Sequence, residues 1–143
     1  MSEHDQCIFC RILDGSAPAS FVYRDEVCSA FLDLMPVNPG HLLVIPNRHA
    51  AFLADMEPEV AAHLMQVGHR LAAAVRRSKL ISEGINLFLA DGEAAGQEVF
   101  HVHLHVIPRF RGDNFGLRFG HDRVMGSREE LDSTGMIIRQ AID

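Results

Sequence analysis

Apolar and polar positions divide the chain into short blocks whose period changes along its length. Cys7 to Leu13 predicts a short helix closed by Asp14-Gly15, and Phe21 to Tyr23 and Val27 to Leu32 predict two strands joined at Arg24-Asp25-Glu26 as a hairpin. After the breaker cluster Met35-Pro36-Val37-Asn38-Pro39-Gly40, the run His41-Leu42-Leu43-Val44-Ile45 reads as a third strand stopped by Pro46. From Glu57 to Lys79 the residues Val60, Leu64, Val67, Leu71 and Val75 recur at helical spacing, which places them on one face of a long helix. Gly84 to Leu89 and Phe100 to Ile107 predict two further strands, with the glycine-containing connection Asp91 to Gly96 between them. Ser127 and Glu130 form a capping box ahead of Leu131, Ile138 and Ile142. Sequential strands joined by short turns, with one long helix inserted, predict an antiparallel α+β domain.

Composition narrows the class. At 143 residues and 48% hydrophobic, with no repeat and no linker-like tract, the chain is expected to be a single domain over residues 1–143. The polar opening MSEHDQCIFC and the absence of any apolar run long enough to cross a bilayer point away from a membrane and from export. Three cysteines, with Cys28 lacking an evident mate, do not make a disulfide framework, so a reducing cytoplasm is the expected location. The net charge of −6 argues against a nucleic-acid polymer as partner. Arg109, Arg111, Arg118 and Arg123, set against Asp113 and Asp122, are either a region that steers a small polyanion or a solvated surface.

The chemistry concentrates in His101-Val102-His103-Leu104-His105-Val106-Ile107-Pro108. On a strand, alternate side chains share a face, so three histidines line one side while Val102, Leu104 and Val106 anchor the other. Such a stripe serves either metal chelation or phosphoryl transfer by a neutral imidazole. At ~3.3 Å rise per residue the outer histidines stand about 13 Å apart, too far for all three to hold one ion. An imidazole flanked by two others, its second nitrogen held by a hydrogen bond, is suited to nucleophilic attack, which points to His103. Cys7 and Cys10 have the spacing of half a tetrahedral zinc site, with His49 and His101 as natural completions; a redox pair or two inert thiols are the alternatives. Cys28 reads as a small buried hydrophobe, and His4, His63, His69 and His121 as ordinary helix or surface residues. No glycine-rich nucleotide-binding motif is present.

The triad segment resembles the signature of the histidine-triad (HIT) family, His-x-His-x-His followed by two apolar residues. The likeness extends through Cys7-Ile8-Phe9-Cys10, Ala30-Phe31-Leu32-Asp33, Pro39-Gly40-His41-Leu42-Leu43-Val44-Ile45-Pro46 and Gly96-Gln97. Asp91-Gly92 through Arg109 is similar to the fragile-histidine-triad branch, whereas the paired cysteines look like the metal-containing bacterial members. The resemblance implies a homodimer of five-stranded antiparallel sheets. It also implies a nucleotide hydrolase or transferase that forms a nucleotidyl-histidine on His103 and releases a nucleoside monophosphate from a phosphoramidate, mixed anhydride or dinucleoside polyphosphate. By the same likeness His105 and His41 support the phosphate site, Gln97, Glu98 and Val99 lie in the loop around the phosphate oxygens, and Asp33 meets the ribose. Ile8, Phe9, Ile12, Phe31, Leu34 and Leu43 match the walls of the base pocket, although the same residues equally suit a core. In zinc-containing relatives the positions of Cys7, Cys10, His49 and His101 are ligands, which implies a closed structural zinc and no catalytic metal. Two positions depart from the pattern: Glu98 stands where a serine or threonine is usual, and Ala90 where an amide is usual. Glu98 is expected to tune the leaving group. A nucleotide-binding, zinc-stabilised adaptor with little turnover, and hydrolysis by a zinc on His101 and His103, are the rival readings.

Overall fold

The computed structural model describes residues 2–116, 120 and 122–143. Arg118 and His121, considered above, lie outside the described residues. The elements are α1 (Glu3–Gln6), α2 (Ile8–Leu13), β1 (Phe21–Arg24), β2 (Cys28–Leu32), β3 (Leu42–Pro46), α3 (Pro58–Arg77), β4 (Gly84–Leu89), β5 (Leu104–Arg109) and α4 (Arg128–Ala141). The strands form one antiparallel sheet in the order β1-β2-β3-β5-β4, the α+β architecture predicted from the sequence.

β3 lies in the middle of that sheet and all five of its residues are buried, which is why its sequence is a continuous apolar run rather than an alternating one. Its side chains divide between two cores. Leu42 and Val44, with Cys28, Ala30, Val102, Leu104 and Val106, pack beneath Leu64, Val67, Leu71 and Val75 of α3. Leu43 and Ile45 face the other way and join Phe9, Ile12 and Phe31 under α2. Each fully buried aliphatic side chain contributes about 1.5–3 kcal/mol, so this two-sided burial anchors β3 firmly at the centre of the sheet. Gly68 of α3 lets the helix close onto β5, since a Cβ there would stand 2.9 Å from Cδ2 of Leu104.

Several predicted boundaries move. Cys7 is the N-cap of α2 rather than its first turn, its sulfur accepting from the amide of Cys10 at 3.4 Å. β2 begins at Cys28 and β3 at Leu42. The larger correction is β5, which begins at Leu104 and not at Phe100. β4 ends at Leu89, opposite Leu104, so the chain before Leu104 has no neighbouring strand on that side. There the amide of Val102 donates instead to the carbonyl of Ala50 at 2.8 Å. His101 and His103 therefore precede the regular strand. α1 and two short 3-10 turns, Leu53–Asp55 and Glu93–Ala95, carry too few residues to leave a periodic signal. No residue of α4 is buried, and its capping box is present as the sequence predicts.

Candidate functional site

The triad segment presents His103 and His105 to the α2 side of the sheet because the intervening Val102, Leu104 and Val106 are buried beneath α3. The His103 and His105 rings lie 5.0 Å apart, and Phe9 meets the His103 ring edge-on at 5.2 Å. His101 departs from this pair. It is fully buried and turns into a cluster with Cys7, Cys10 and His49.

Hydrogen bonds to backbone groups, direct or relayed, place the proton on Nδ1 of His103 and on Nε2 of its neighbours. His103 donates from Nδ1 to the carbonyl of His101 at 2.8 Å, which leaves Nε2 with its lone pair free. His101 donates from Nε2 to the carbonyl of Pro46 at 2.8 Å, which leaves Nδ1 bare and directed into the cysteine cluster. His105 is set at one remove. The amide of Val37 donates to Nδ1 of His41 at 3.0 Å, so the His41 proton sits on Nε2, and this donates to Nδ1 of His105 at 2.8 Å. The proton of His105 is thereby placed on Nε2. A bare imidazole nitrogen thus stands beside a ring that offers an N–H, the combination needed to attack a phosphorus while donating to one of its oxygens.

Burial favours the neutral form of His41, His101 and His105. It is the main cause that pushes both His101 and His105 down to about 4, with the neighbouring histidines adding to the effect. His41 is also lowered by burial, against a smaller opposing pull from Asp33. The Asp33 carboxylate lies 3.5 Å from Nε2 of His41 and accepts from the amide of Met35 at 2.9 Å.

The other predicted substrate contacts are distributed unevenly. Phe9, Ile12, Phe31 and Leu43 are buried together on the triad side of the sheet, whereas Ile8 is 41% exposed and Leu34 is 95% exposed. Gln97 is buried and its side chain is spent on the loop: Oε1 accepts from the amide of Gly92 at 2.7 Å, and Nε2 donates to the carbonyls of Ala51 and Val99 at 2.8 and 3.1 Å. Glu98 is exposed, and with Phe52, Asp55, Val99 and Phe100 it lines a cleft of about 800 Å³ that also reaches Cys7 and Ile8. Ala90 is buried.

The Cys7, Cys10, His49 and His101 donor atoms match a tetrahedral ion site. Bonds of ~2.3 Å to sulfur and ~2.0 Å to nitrogen require about 3.3 Å between two nitrogens and about 3.5 Å between nitrogen and sulfur. The two Nδ1 atoms are 3.2 Å apart; Cys7 Sγ lies 3.4 Å from His101 Nδ1, and Cys10 Sγ lies 3.4 Å from His49 Nδ1 and 3.6 Å from His101 Nδ1. Without a cation, burial and the neighbouring Cys7 push the Cys10 thiol up to about 12; an ion would reverse that preference. Two further groups of three donors are differently employed. In Asp33, His41 and His105 both nitrogens of His41 and Nδ1 of His105 are occupied by one another and by Val37. In Asp25, Cys28 and His63 the carboxylate accepts from Tyr23, Val27, Cys28 and His63 at 2.7–2.8 Å. His63, read from the sequence as an ordinary helix residue, therefore ties α3 to the β1–β2 turn.

The chain's match to the HIT domain model spans residues 14–112, and the chain belongs to the HIT family. It is 40% identical over 136 residues to an uncharacterized HIT-like protein of Mycobacterium tuberculosis, covering 95% of this chain and 92% of that one. Among solved structures it resembles a HIT family protein from Bacillus anthracis, with a TM-score of 0.89 and 38% identity over 97% of this chain and 99% of that chain. A zinc-bound histidine triad family protein from Mycobacterium smegmatis is similar at a TM-score of 0.76 and 41% identity, again over 97% and 99% of the two chains.

Proposed function

We propose that this protein is a nucleotide hydrolase or nucleotidyltransferase whose nucleophile is Nε2 of His103. The observation that carries the reading is the pairing of opposite proton positions: a bare Nε2 on His103 beside His105, whose Nε2 holds the proton. His103 attacks the α-phosphorus of a nucleoside phosphoramidate or dinucleoside polyphosphate. The bond from phosphorus to the leaving nitrogen or oxygen breaks, the leaving group keeps its electron pair, and it takes up a proton. A water oxygen then bonds to phosphorus, the phosphorus–nitrogen bond to His103 breaks, and a nucleoside monophosphate and a proton are released. His105 donates to a phosphate oxygen, and His41 holds His105 in the donating form. Asp33 meets the ribose hydroxyls, and Phe9, Ile12, Phe31 and Leu43, with the more exposed Ile8 and Leu34, receive the base. Gln97 acts by shaping the loop, so the phosphate contacts there fall to backbone near Val99. Glu98 faces the leaving group and tunes which one departs.

Cys7, Cys10, His49 and His101 hold a structural zinc ion that ties the N-terminal segment to the triad. The zinc-bound relative and the tetrahedral spacing support this assignment. We read the chain as one HIT domain that acts in the cytoplasm as a homodimer. Support for the dimer comes from β4, an edge strand of sequence GINLFL without the charge or proline that usually guards an open edge.

The test is AMP release from an adenosine phosphoramidate and from a diadenosine polyphosphate by the wild type and by His103→Ala. Release by the wild type alone supports the reading, and the faster substrate identifies the leaving-group class. Nucleotide binding with no release from either substrate would overturn it in favour of an adaptor, the outcome that buried Ala90 and the Glu98 carboxylate would then explain.

A further inference from the structure

We propose that Asn38, Asp113 and Arg109 form a positioning device that selects which nitrogen of His105 carries its proton, acting through the backbone of Val37 and the ring of His41. The catalytic arm of this proposal rests on the His103 reading; the proton placement does not.

The device starts at a carboxylate. The Asp113 side chain is only 4% exposed and is gripped by Arg109 through two bonds, Nε to Oδ2 at 2.7 Å and Nη2 to Oδ1 at 2.9 Å. Arg109 is itself fixed to β4, its Nη1 donating to Asn86 Oδ1 at 2.6 Å. A bidentate guanidinium–carboxylate pair fixes orientation as well as distance, so Asp113 presents Oδ2 in a defined direction. There it accepts from Nδ2 of Asn38 at 2.9 Å, and the same amide donates to the carbonyl of Pro108 at 2.8 Å. Both hydrogens of a buried amide are thereby used, which pins the loop between β2 and β3 to the end of β5.

The loop so pinned has a narrow task. The carbonyl of Asn38 accepts from the amide of His41 at 3.1 Å, closing a turn in which Val37 N–H is aimed at His41 Nδ1. An imidazole that accepts at Nδ1 must, while neutral, carry its hydrogen on Nε2. The His41 Nε2–H then requires a bare Nδ1 on His105, and the remaining His105 proton is confined to Nε2. Loosening Val37 removes the only backbone contact that distinguishes the two nitrogens of His41 among the described residues. With the Asp33 carboxylate, 3.5 Å from Nε2, left as the remaining bias on His41, both rings populate both forms, and the share of His105 in the other form presents an acceptor where a donor is required.

The experiment uses the 143-residue chain, purified reduced and supplied with zinc, labelled with nitrogen-15 at histidine, with long-range proton–nitrogen spectra to assign the proton on each ring. In the wild type, His41 and His105 are expected as Nε2–H forms and His103 as the Nδ1–H form. A wild-type His105 in the Nδ1–H form would overturn the proposal without any variant. Val37→Pro deletes the donor and Asn38→Ala releases the loop; both are expected to mix the forms of His41 and His105 while leaving His103 unchanged. Asp113→Asn weakens the grip of Arg109 and is the milder variant should either of the others fail to fold. Unaltered His105 signals in folded variants would reject the device. Where the wild type turns over substrate, kcat is expected to fall in proportion to the share of His105 displaced from the Nε2–H form, roughly two- to ten-fold, with KM little changed. Absence of turnover would count against the His103 reading alone, because the spectra decide the proton placement independently.

Discussion

Each histidine of the triad has its proton placed by a main-chain group: the Pro46 carbonyl for His101, the His101 carbonyl for His103, and the Val37 amide, relayed by His41, for His105. A neutral, half-buried His105 also links folding to pH. Its pKa falls from 6.5 to about 4 in the folded chain, so between these values the unfolded state binds the proton more readily. The stability held above pH 6.5 is therefore lost as pH falls toward 4. Urea unfolding at pH 7 and pH 4.5 should show His105→Asn losing about 2 kcal/mol less than the wild type over that interval. Gly40 provides a second prediction at this scale. Its φ of +95° falls in the region L residues rarely adopt, so Gly40→Ala should cost about 1–2 kcal/mol in the same assay, with further strain against Leu80 and Pro108. The triad and the Cys7–Cys10 pair were legible in the sequence because their spacing is itself chemical, whereas His49 was reached only through the family resemblance. The parts played by Asn38, Gln97 and His63 were not, because an amide or imidazole that serves a distant backbone or carboxylate group carries no local pattern.

Between β5 and α3 the limiting contact is Gly68 against Leu104. A methyl group there pushes the helix away from the strand that carries His105, so Gly68→Ala should destabilise the fold by about 1–3 kcal/mol despite its higher helix propensity. Thermal unfolding checks the sign, since propensity alone predicts the opposite. Strand and helix identities followed from period, as the α3 stripe of Leu64, Val67, Leu71 and Val75 illustrates. The start of β5 did not. Strand periodicity continues through His101 and His103, but the hydrogen-bonding neighbour stops at Leu89, and the extent of a neighbouring strand is not written in the strand beside it.

At the scale of the whole molecule, the cluster ties residues at positions 7, 10, 49 and 101 into one knot between the N-terminal segment and the sheet. Purified, reduced protein is expected to contain about one zinc per chain. Cys10→Ser should lower its metal content and reduce Tm by about 10 °C, for a loss on the order of 3 kcal/mol. Sedimentation should give twice the 15.9 kDa chain mass; a single-chain mass would remove the dimer from the proposed function. His101 belongs to the knot through its ring and to the nucleophile through its carbonyl, which holds the proton of His103. Under the proposed function, a chelator that empties the cluster would consequently spoil the aim of a reaction that assigns the ion no chemical step. Inhibition by chelation would therefore be a misleading witness to metal catalysis in this protein, and trapping the phosphorus–nitrogen adduct on His103 is the observation that separates the two mechanisms.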